Sequence, residues 1–592
     1  MIRLVDKLKL MADKLRLHSI KETTVAGSGH PTSCMSCAEV MSVLFFSELK
    51  NKDEFILSKG HAAPILWAAY AEAGLIPLSK LKTLRKIDSS LEGHPTPEVP
   101  LIKVATGSLG QGLSAGVGMA LGQRLSKNKG RVFVLLGDGE CAEGSVWEAA
   151  NCASYYSLNN LCAVVDVNRL GQSQQTMHGH DLKAYEAKFK AFGWRTLVVD
   201  GHDVKKLKSA FSKLGKSKKP LAILAKTFKG HGLSLVENKL GWHGKPFKGG
   251  VFDKAVEMLD CSNVKLKSKV CRNSVKHSFK NYSCNKYKLG EMVSTRQAFG
   301  TAFVALGKAN KTVVTVDGDV RNSTMTQAFF DNFPKRSFES FIAEQNMAGA
   351  SLGLSKVGYV PFVATFAAFW TRAHDFIRMA AYSEANVKFV GSHAGVSIGE
   401  DGASQMGLED LSMFLSVPGA LVLYPSDAVS TEHLVKELGK HKGVSYLRTT
   451  RGKTPVVYPN NEKFPIGGLK VLRKSKRDKV LVIGAGETLH EALNAYDLLK
   501  AKGVDVRVID LYSVQPVDRK ALLKNAKECK GRVVVVEDHY FGGIGSVVMS
   551  VVGKIEHLYV KKIPRSGKPE QLRKMFGIDS SAIVRVVKRL VR

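Results

Sequence analysis

The chain has 592 residues, of which 44% are hydrophobic and 24% charged, a composition that excludes a disordered protein. This length exceeds what one hydrophobic core usually serves and predicts three to four domains. The 87 lysines and arginines outnumber the 53 acidic residues, and the resulting net charge of +34 is more than the binding of an anionic substrate requires.

The first residues predict an amphipathic helix rather than a targeting segment. Leu4, Leu8, Met11 and Leu15 recur at helical spacing, and charged residues lie between them instead of a basic region followed by an apolar one. The sequence has no run approaching 18 apolar residues, so we predict no membrane span. Nine scattered cysteines indicate reduced thiols, and together these features predict a cytoplasmic protein.

Three series of apolar strands alternate with helical stretches along the chain. The runs are 131–139, 161–168 and 221–227, then 312–319, 360–366, 386–395 and 420–427, and finally 480–486, 504–510 and 532–538. This alternation predicts an α/β protein of three doubly wound domains with mostly parallel sheets, whose ligands lie at the carboxyl ends of strands. We place the domains at 1–260, 290–460 and 461–592, with a basic linker at 261–289.

A candidate metal and phosphate site follows two strands of the first domain. Gly137-Asp138-Gly139 comes directly after one apolar run, and Asn168 ends the next. Glycines let a ligand approach the backbone, and carboxylate and amide oxygens are ligands that Mg²⁺ and Ca²⁺ accept. The loop alone is also typical of a surface turn, and the second strand end favours the site.

Five histidines lie beside glycines in predicted loops. They are His30, His61, His94, His243 and His393. A single histidine is more often a structural hydrogen-bonding group than a catalytic one, but five in such loops favour a polar active site. The glycine-rich segment 107–118 enters a helix, where its amides could meet a diphosphate or serve only close packing.

Glu344 and three phosphate-binding candidates lie in the second domain. Glu344 stands between an apolar pair and a helical stretch, so it is either a buried proton-holding carboxylate or part of a helix cap. Arg296, Ser323 and Arg451 can bind phosphate, although the sequence alone does not make them converge.

The excess lysines are concentrated in the runs 205–219, 265–288 and 470–479. They are not interleaved with aromatic residues as in a groove for single-stranded nucleic acid. A solvated lysine-rich surface is therefore favoured, and a polyanion or nucleic-acid partner stays as the alternative.

Motifs in all three domains resemble the animal-type branch of the transketolase family. They include AGSGHPTS, LSKGHAAPILW, ATGSLGQGL, LLGDGE, VNRLGQS, WHGKP, IAEQNM, GVSIGEDGASQM and RSGKPEQL, in this order from about residue 10 onward. The resemblance implies a homodimer with thiamine diphosphate at the subunit interface. The first domain would bind the diphosphate, the second the aminopyrimidine, and 461–592 would be the family's C-terminal domain.

The same resemblance implies the residues of a metal and cofactor site. Asp138, Asn168 and the carbonyl of Leu170 match the ligands of Mg²⁺ or Ca²⁺. The matching cofactor positions are Ser33, His61, Gly107, Ser108, Leu109, Gly139, Asn168, Lys229 and His243, with Phe369 and Gln405 from the second domain. Glu143 and Glu148 match acidic residues near the dimer interface.

The reaction implied by the resemblance is ketol transfer by a thiamine-dependent transferase. Glu344 matches the residue that binds the aminopyrimidine, so that the C2 ylide forms and moves a two-carbon unit from a ketose phosphate to an aldose phosphate in the non-oxidative pentose phosphate pathway. The matching substrate positions are His30, His94, His243, His393, Asp401, Arg296, Ser323 and Arg451, of which the first, third and fourth handle hydroxyl protons.

Two alternatives to a transketolase remain at this point. A related thiamine enzyme, 1-deoxyxylulose-5-phosphate synthase or dihydroxyacetone synthase, would use pyruvate or formaldehyde, and the histidines and arginines disfavour the first of them. A polyanion-binding protein on an inactive scaffold would explain the net charge, but the presence of Glu344 and Asp138 argues against inactivity.

Overall fold

The structure, a computed structural model, describes residues 3–259, 264–270 and 278–592. The predicted linker at 261–289 therefore lies partly outside the described residues, and its described parts form no helix or strand. The chain divides into two compact units, Met1–Lys276 with Ala348–Gly358, and His277–Met347 with Tyr359–Arg592.

The first unit is an α/β unit around one parallel sheet. Its helices are α1 (Leu4–Ala26), α2 (Pro31–Met35), α3 (Ala38–Val43), α4 (Ala63–Glu72), α5 (Gly112–Leu125), α6 (Gly144–Tyr155), α7 (Leu182–Ala191), α8 (Val204–Phe211) and α9 (Gly250–Met258). Its strands are β1 (Glu54–Leu57), β2 (Val132–Gly137), β3 (Leu161–Val167), β4 (Arg195–Asp200) and β5 (Leu221–Lys226). They pair in the order β1-β2-β3-β5-β4, and every pair is parallel.

The burial of β2, β3 and α1 explains why the sequence pattern predicts them. Every residue of β2 and β3 is buried, as a parallel sheet covered by helices on both faces requires. Helix α1 buries Leu8, Met11 and Leu15, while Leu4 near its start is exposed, so the predicted amphipathic first helix is confirmed. Since the strands are parallel, the segments that follow β1, β2 and β3 share one edge of the sheet.

The second unit contains the remaining helices and strands. Its helices are α10 (Thr295–Ala309), α11 (Arg321–Thr324), α12 (Gln327–Asn332), α13 (Glu344–Lys356, which passes into the first unit at Ala348), α14 (His374–Tyr382), α15 (Asp410–Leu415), α16 (Ala428–Lys440), α17 (Glu487–Lys500), α18 (Arg519–Glu528), α19 (Ile544–Val552), α20 (Pro569–Phe576) and α21 (Ser580–Val591). Its strands are β6 (Met292–Ser294), β7 (Val313–Asp317), β8 (Ser337–Glu339), β9 (Val360–Phe366), β10 (Lys388–Ser392), β11 (Leu421–Leu423), β12 (Ser445–Arg448), β13 (Lys453–Pro455), β14 (Lys470–Arg473), β15 (Val480–Gly484), β16 (Val506–Asp510), β17 (Ser513–Gln515), β18 (Val533–Val536) and β19 (Glu556–Leu558).

Two mostly parallel sheets organise the second unit. The larger has the order β17-β11-β12-β10-β9-β7-β8 and the smaller β14-β16-β15-β18-β19, with β17 and β14 as antiparallel edge strands. A short antiparallel pair joins β13 and β6. The predicted α/β class with mostly parallel sheets is therefore confirmed. Strand β17 comes from the predicted third domain but pairs with β11 of the second, and the exact domain boundaries stay predictions.

Ten of the strands fall in the runs predicted from sequence. The strands that the sequence did not indicate are short or lie at sheet edges, where the apolar run is weaker; β4, for example, is largely half-exposed. None of the helices in the described part of the chain is long and apolar enough to cross a membrane.

Candidate active site

A cavity of about 430 Å³ lies at the carboxyl edge of the first unit's sheet. It brings together most of the residues predicted for this domain, although Ser33 and Ser108 do not line it. The predicted residues that do are His30, His61, His94, Gly107, Leu109, Asp138, Gly139, Asn168, Leu170, Lys229 and His243. Glu143 and Glu148 lie just before and within α6, outside the lining.

Asp138 is held at the tip of β2 by three donors. Its Oδ2 accepts the Arg169 amide at 2.7 Å and the Thr176 hydroxyl at 3.1 Å, and its Oδ1 accepts the Gly139 amide at 2.9 Å. Burial, together with the carboxylate of Asp166, raises the pKa of Asp138 to about 6. A cation beside Asp138 would offset both effects and favour the ionised form.

Asn168 at the tip of β3 is oriented by a buried network. Its Nδ2 donates to Asp166 Oδ2 at 3.1 Å, and its Oδ1 accepts the Leu170 amide at 3.2 Å. Asp166 in turn accepts hydrogen bonds from Lys59, Ser36 and Thr227. The orientation of the Asn168 amide oxygen is thus fixed by an ion pair that is itself fully buried.

Glu140 ties the glycine-rich segment to the loop after β2. Its buried carboxylate accepts the Gly110 amide at 2.8 Å, the Gly137 amide at 3.0 Å and the hydroxyl of Ser58. One side chain therefore fixes two of the backbone segments around the cavity, before any ligand is bound.

Four histidines meet in this cavity. The ring centroid of His30 lies 5.3 Å from that of His61, 6.5 Å from that of His94 and 5.0 Å from that of His243. Burial and nearby cationic groups lower the pKa of His30 to about 4 and that of His243 to about 3. Burial also lowers the pKa of His61 and His94. All four rings are therefore neutral at pH 7 and can accept a proton or a hydrogen bond.

The ammonium group of Lys229 faces the predicted metal ligands. It donates to the Leu170 carbonyl at 2.8 Å and contacts His243 Nδ1 at 2.7 Å. Burial and the nearby Lys59 lower the pKa of Lys229 to about 8. The carbonyl that the resemblance assigns to the metal is thus engaged by this ammonium group in the structure.

The donor set fits a hard divalent cation and a phosphate-bearing ligand. Asp138 and Asn168 offer carboxylate and amide oxygens at neighbouring strand tips, and Leu170 offers a carbonyl, which is the chemistry that Mg²⁺ and Ca²⁺ prefer. The buried hydroxyl of Ser33 and the buried Nδ1 of His30 have no hydrogen-bond partner within the described residues. Such orphaned polar atoms call for a ligand or water.

A different group, Glu39 with His202 and His231, also has metal-ligating atoms close together. Two of its three members are already engaged: Glu39 accepts from Arg16 and contacts His202 Nδ1 at 3.0 Å, and His202 Nε2 accepts the Phe228 amide at 3.0 Å. Although burial opposes ionisation, Arg16 and His202 lower the pKa of Glu39 to about 2. The guanidinium of Arg16 already balances the charge of Glu39 without a metal ion, so we interpret this group as structural.

Glu344 begins α13 in the second unit and is 6% exposed. Both its carboxylate oxygens face Nη1 of Arg372, at 3.3 and 3.2 Å. The Arg372 guanidinium also lies 5.8 Å from the centroid of the Phe369 ring. Phe369 stacks in turn on Phe366, with ring centroids 5.3 Å apart.

His393 and Arg296 form a second group of predicted residues. His393, after β10, stacks on Phe366 at 3.9 Å, and its Nε2 lies 3.5 Å from Nη1 of Arg296, which also donates to the Ser323 carbonyl at 2.9 Å. Burial, together with Arg296 and Arg451, lowers the pKa of His393 to about 3. Phe366 thus links this group to Phe369 and Glu344.

Arg451 contacts the loop that carries Asp401. Its Nη1 donates to the Ile398 carbonyl at 3.2 Å and to Asp401 Oδ2 at 3.1 Å. Gln405 lies on the same loop, in a short 3₁₀ turn, and its Nε2 contacts Ser404 at 3.5 Å. Arg296 and Arg451 both lie close enough to His393 to affect its pKa, although the sequence alone did not bring them together.

Asp538, after β18, fixes the base of that loop. Its buried carboxylate accepts the Val396 amide at 2.7 Å, the Ser397 amide at 3.2 Å and the Ser397 hydroxyl at 2.7 Å. A Cβ at Gly395 would collide with this carboxylate, so the close approach requires glycine.

Three family profiles match the chain in sequence order. They are described as "Transketolase, thiamine diphosphate binding domain" for residues 7–289, "Transketolase, pyrimidine binding domain" for 291–456 and "Transketolase, C-terminal domain" for 469–583. Human transketolase is 49% identical over 613 aligned residues, which cover 99% of this chain and 98% of the human protein. This chain belongs to the transketolase family.

Two further comparisons agree with this membership. Mouse transketolase-like protein 2 is 50% identical, with 98% of this chain and 97% of the mouse protein covered. The crystal structure of Campylobacter jejuni transketolase has a TM-score of 0.89 at 23% identity, covering 99% of this chain and 100% of that one. The latter similarity concerns the fold. The predicted family, enzyme class and thiamine diphosphate-binding domain are confirmed, whereas the metal and the roles of single residues stay predictions.

Sequence reasoning missed the groups that orient the predicted transketolase residues. Asp166, Lys59, Glu140, Arg372 and Asp538 contact candidate site residues or their loops. A signal existed for two of them, because Asp166 is a carboxylate inside an apolar strand and Lys59 stands two residues before His61. Recognising Asp538 required the tertiary structure, since it is 142 residues from Val396.

Proposed function

We propose that this chain is an active transketolase, which transfers a two-carbon ketol unit from a ketose phosphate to an aldose phosphate in the non-oxidative pentose phosphate pathway. Its relatives include both transketolases and transketolase-like proteins. The proposal of an active enzyme therefore rests on the residues of the site as well as on the family. One observation carries the proposal: the first unit places four neutral histidines around Asp138 and Asn168 in a single cavity.

Asp138, Asn168 and the Leu170 carbonyl would hold Mg²⁺ or Ca²⁺, with the cofactor diphosphate beside it. Their oxygen chemistry and the raised pKa of Asp138 support this role. Thiamine diphosphate, when bound, supplies the carbon nucleophile and electron sink for cleavage of the ketose. The chain's own residues supply binding, orientation and proton transfer.

Glu344 would hold a proton against the cofactor's aminopyrimidine. Its burial supports a carboxylate that is shielded from water, and the 60% exposed side chain of Arg372 has room to move away when a ligand binds. Phe369 and Gln405 would contact the ring. The family resemblance implies a homodimer in which the second unit of one subunit and the first unit of its partner complete each site.

The histidines would receive and return hydroxyl protons of the sugar. His30, His243 and His393 are neutral at pH 7 because their pKa values are lowered to about 4, 3 and 3, so each has a nitrogen lone pair that can accept a proton. In this structure that of His243 faces Lys229 and that of His393 faces Arg296. His61 and His94 would line the cofactor and the substrate.

Arg296, Ser323 and Arg451 would bind the terminal phosphate of the sugar. Burial, together with the nearby Arg451, lowers the pKa of Arg296, and two neighbouring guanidinium groups favour an anion between them. Asp401, which now pairs with Arg451, would recognise a donor hydroxyl.

A coupled assay tests the proposal. Xylulose 5-phosphate and ribose 5-phosphate should yield sedoheptulose 7-phosphate and glyceraldehyde 3-phosphate only when thiamine diphosphate and a divalent metal are both present. Absence of product under those conditions would refute the proposed activity. Product from pyruvate or formaldehyde instead would identify a related thiamine enzyme. Sedimentation would test the dimer, and cell fractionation the cytoplasmic location.

A further inference from the structure

A basic cleft lies at the opposite edge of the first unit's sheet from the candidate active site. It has a volume of about 510 Å³ and is lined by Lys50, Asn51, Lys52, Asp53, Lys129, Arg131 and Lys269. Asp53 and Arg131 directly precede β1 and β2, whereas the active-site cavity lies at the carboxyl ends of these strands. The six residues of β2 separate the two by roughly 20 Å.

The only acidic group of this lining is already neutralised. Asp53 accepts the Arg131 amide at 2.8 Å, Nε at 3.1 Å and Nη2 at 2.6 Å, and also the Lys50 amide at 3.0 Å. Five cationic side chains minus one carboxylate leave a lining charge of +4. Lys50, Lys52, Lys129 and Lys269 are exposed and have no ion-pair partner in the described parts of the chain.

The walls of the cleft are fixed by interactions within the protein. Asp53 joins the turn before β1 to the turn before β2, and Gln123 Nε2 donates to the Lys52 carbonyl at 3.1 Å. Gly130 packs so closely on Lys52 that a Cβ there would collide with its carbonyl. Ser268, which precedes Lys269, anchors that segment by donating to the Phe45 carbonyl at 2.8 Å.

We propose that this cleft binds a small, multiply charged phosphate compound, such as a polyphosphate, at a site separate from the catalytic one. Four exposed lysines around one concavity create a positive potential that attracts anions, and lysine binds phosphate as a point charge. The volume falls within the range of small-ligand sites. The lining has no aromatic side chain on which nucleic-acid bases could stack, which favours phosphates without bases.

Calorimetry with tripolyphosphate tests the proposal on the full chain at fixed ionic strength. The variant Lys50→Ala/Lys52→Ala/Lys129→Ala should bind at least about tenfold more weakly, because it removes three charge-assisted contacts. The matched control is Lys520→Ala/Lys524→Ala/Lys527→Ala, which removes three exposed lysines from α18 in the other unit. Its affinity should stay within about twofold of wild type, since only distant charge is lost.

Three results would overturn the proposal: no tripolyphosphate binding by the wild type, equal weakening in both triple variants, or tighter binding of an RNA oligonucleotide at the same salt concentration. Equal weakening would mean that diffuse net charge attracts the anion. The variant with arginine at the three cleft positions should retain binding, and thermal unfolding should show that all variants fold like wild type. None of these results depends on ketol transfer, so they are independent of the proposed function.

Discussion

The candidate sites of the two units differ in how their charged groups are held. In the first unit Asp138 and Glu140 each accept three hydrogen bonds from backbone amides and hydroxyls, and the nearby Lys59–Asp166 pair is fully buried. In the second unit Glu344 and Asp401 face arginines whose side chains are 60% and 40% exposed. One site is preformed, and the other is held by partners that a ligand can replace.

The energetic consequence follows from burial. Exposed ion pairs contribute about 0–1 kcal/mol, so Arg451 can exchange Asp401 for a ligand at little cost. In the other pair only Arg372 is exposed, and Glu344 is buried, so a ligand that replaces this arginine must itself offer a hydrogen bond to the carboxyl group. Breaking a buried pair by removing one partner costs about 3–5 kcal/mol, so the first unit keeps its geometry in the absence of ligand. We therefore expect variants of the first unit to change cofactor binding, and variants of the second to change kinetics.

Glu344→Gln should produce the largest effect. We expect kcat to fall at least about a hundredfold, because glutamine keeps the size of the side chain but cannot hold a proton. Steady-state assays with saturating cofactor measure this, and thermal unfolding should change little. Turnover at the wild-type level would refute the assigned role.

Arg372→Gln is the control for that variant. Because Arg372 is largely exposed, its loss should reduce kcat by less than about tenfold. If its loss reduced kcat as much as the loss of Glu344, the carboxylate would act through the ion pair rather than through a proton.

Asp138→Asn should separate cofactor retention from folding. The pKa of Asp138 is raised to about 6 by burial and Asp166, so the ionised carboxylate costs stability as pH rises from the unfolded pKa through 6. At pH 7 without metal, asparagine removes this cost but turns an amide NH₂ group toward at least one of the three donors, so we expect the stability to change little. Metal affinity should fall by at least about tenfold, and the rise in Tm on adding Mg²⁺ and thiamine diphosphate should become smaller.

A variant that keeps the full rise in Tm would show that another residue binds the metal. The neighbouring Thr176→Val is a suitable control, because it removes only one hydrogen bond to Asp138. That variant should keep most of the ligand-induced rise.

The contrast between the units also explains what the sequence could predict. Residues at strand ends, such as Asp138 and Asn168, were predictable because parallel strands deliver their carboxyl ends to one edge. Glycine-flanked His30, His61 and His243 were predictable as a polar set, although only the fold brings their rings within 5.0–5.4 Å. These predictions follow from the glycines beside the histidines and from the rule that parallel strands end at one edge of their sheet.

The orienting groups could not be predicted because they depend on distant packing. Arg372 reaches Glu344 across 28 residues and Asp538 reaches Val396 across 142, and neither distance follows from periodicity. The family motifs named the site residues of the second unit, but composition and spacing alone gave no reason for Arg296 and Arg451 to converge.

Arg451→Gln should weaken recognition of phosphate selectively. Loss of a charge-assisted hydrogen bond of about 1.5–3 kcal/mol predicts a KM for xylulose 5-phosphate about ten- to a hundredfold higher, with a smaller change for xylulose itself. Comparing kcat/KM for the two sugars measures the difference. Asp401→Asn is the contrasting variant, since loss of a hydroxyl contact should affect both sugars equally. Equal effects of Arg451→Gln on both would contradict a phosphate-binding role.

Asp538→Asn should have a smaller effect through the same arginine. The change weakens the hydrogen bonds that Val396 and Ser397 donate to residue 538. The next residue, Ile398, accepts a hydrogen bond from Arg451 through its carbonyl. We expect the KM for xylulose 5-phosphate to rise about fivefold, as for a modest displacement of a binding group. In the Arg451→Gln background the same change should add almost nothing, because the two residues act in series. Additive effects would mean that Asp538 only stabilises the fold.

The smallest expected effect concerns the titration of His393. Burial and, after it, two arginines lower its pKa to about 3, so the ring should not titrate between pH 5 and 8. Removing one cation in Arg296→Gln makes the imidazolium less unfavourable, and the pKa must then move upward. NMR of protein with labelled histidine measures the shift, and His393→Asn assigns the resonance. An unchanged or lower pKa would mean that burial alone keeps the ring neutral, and that the second unit does not focus positive charge where the phosphate is expected to bind.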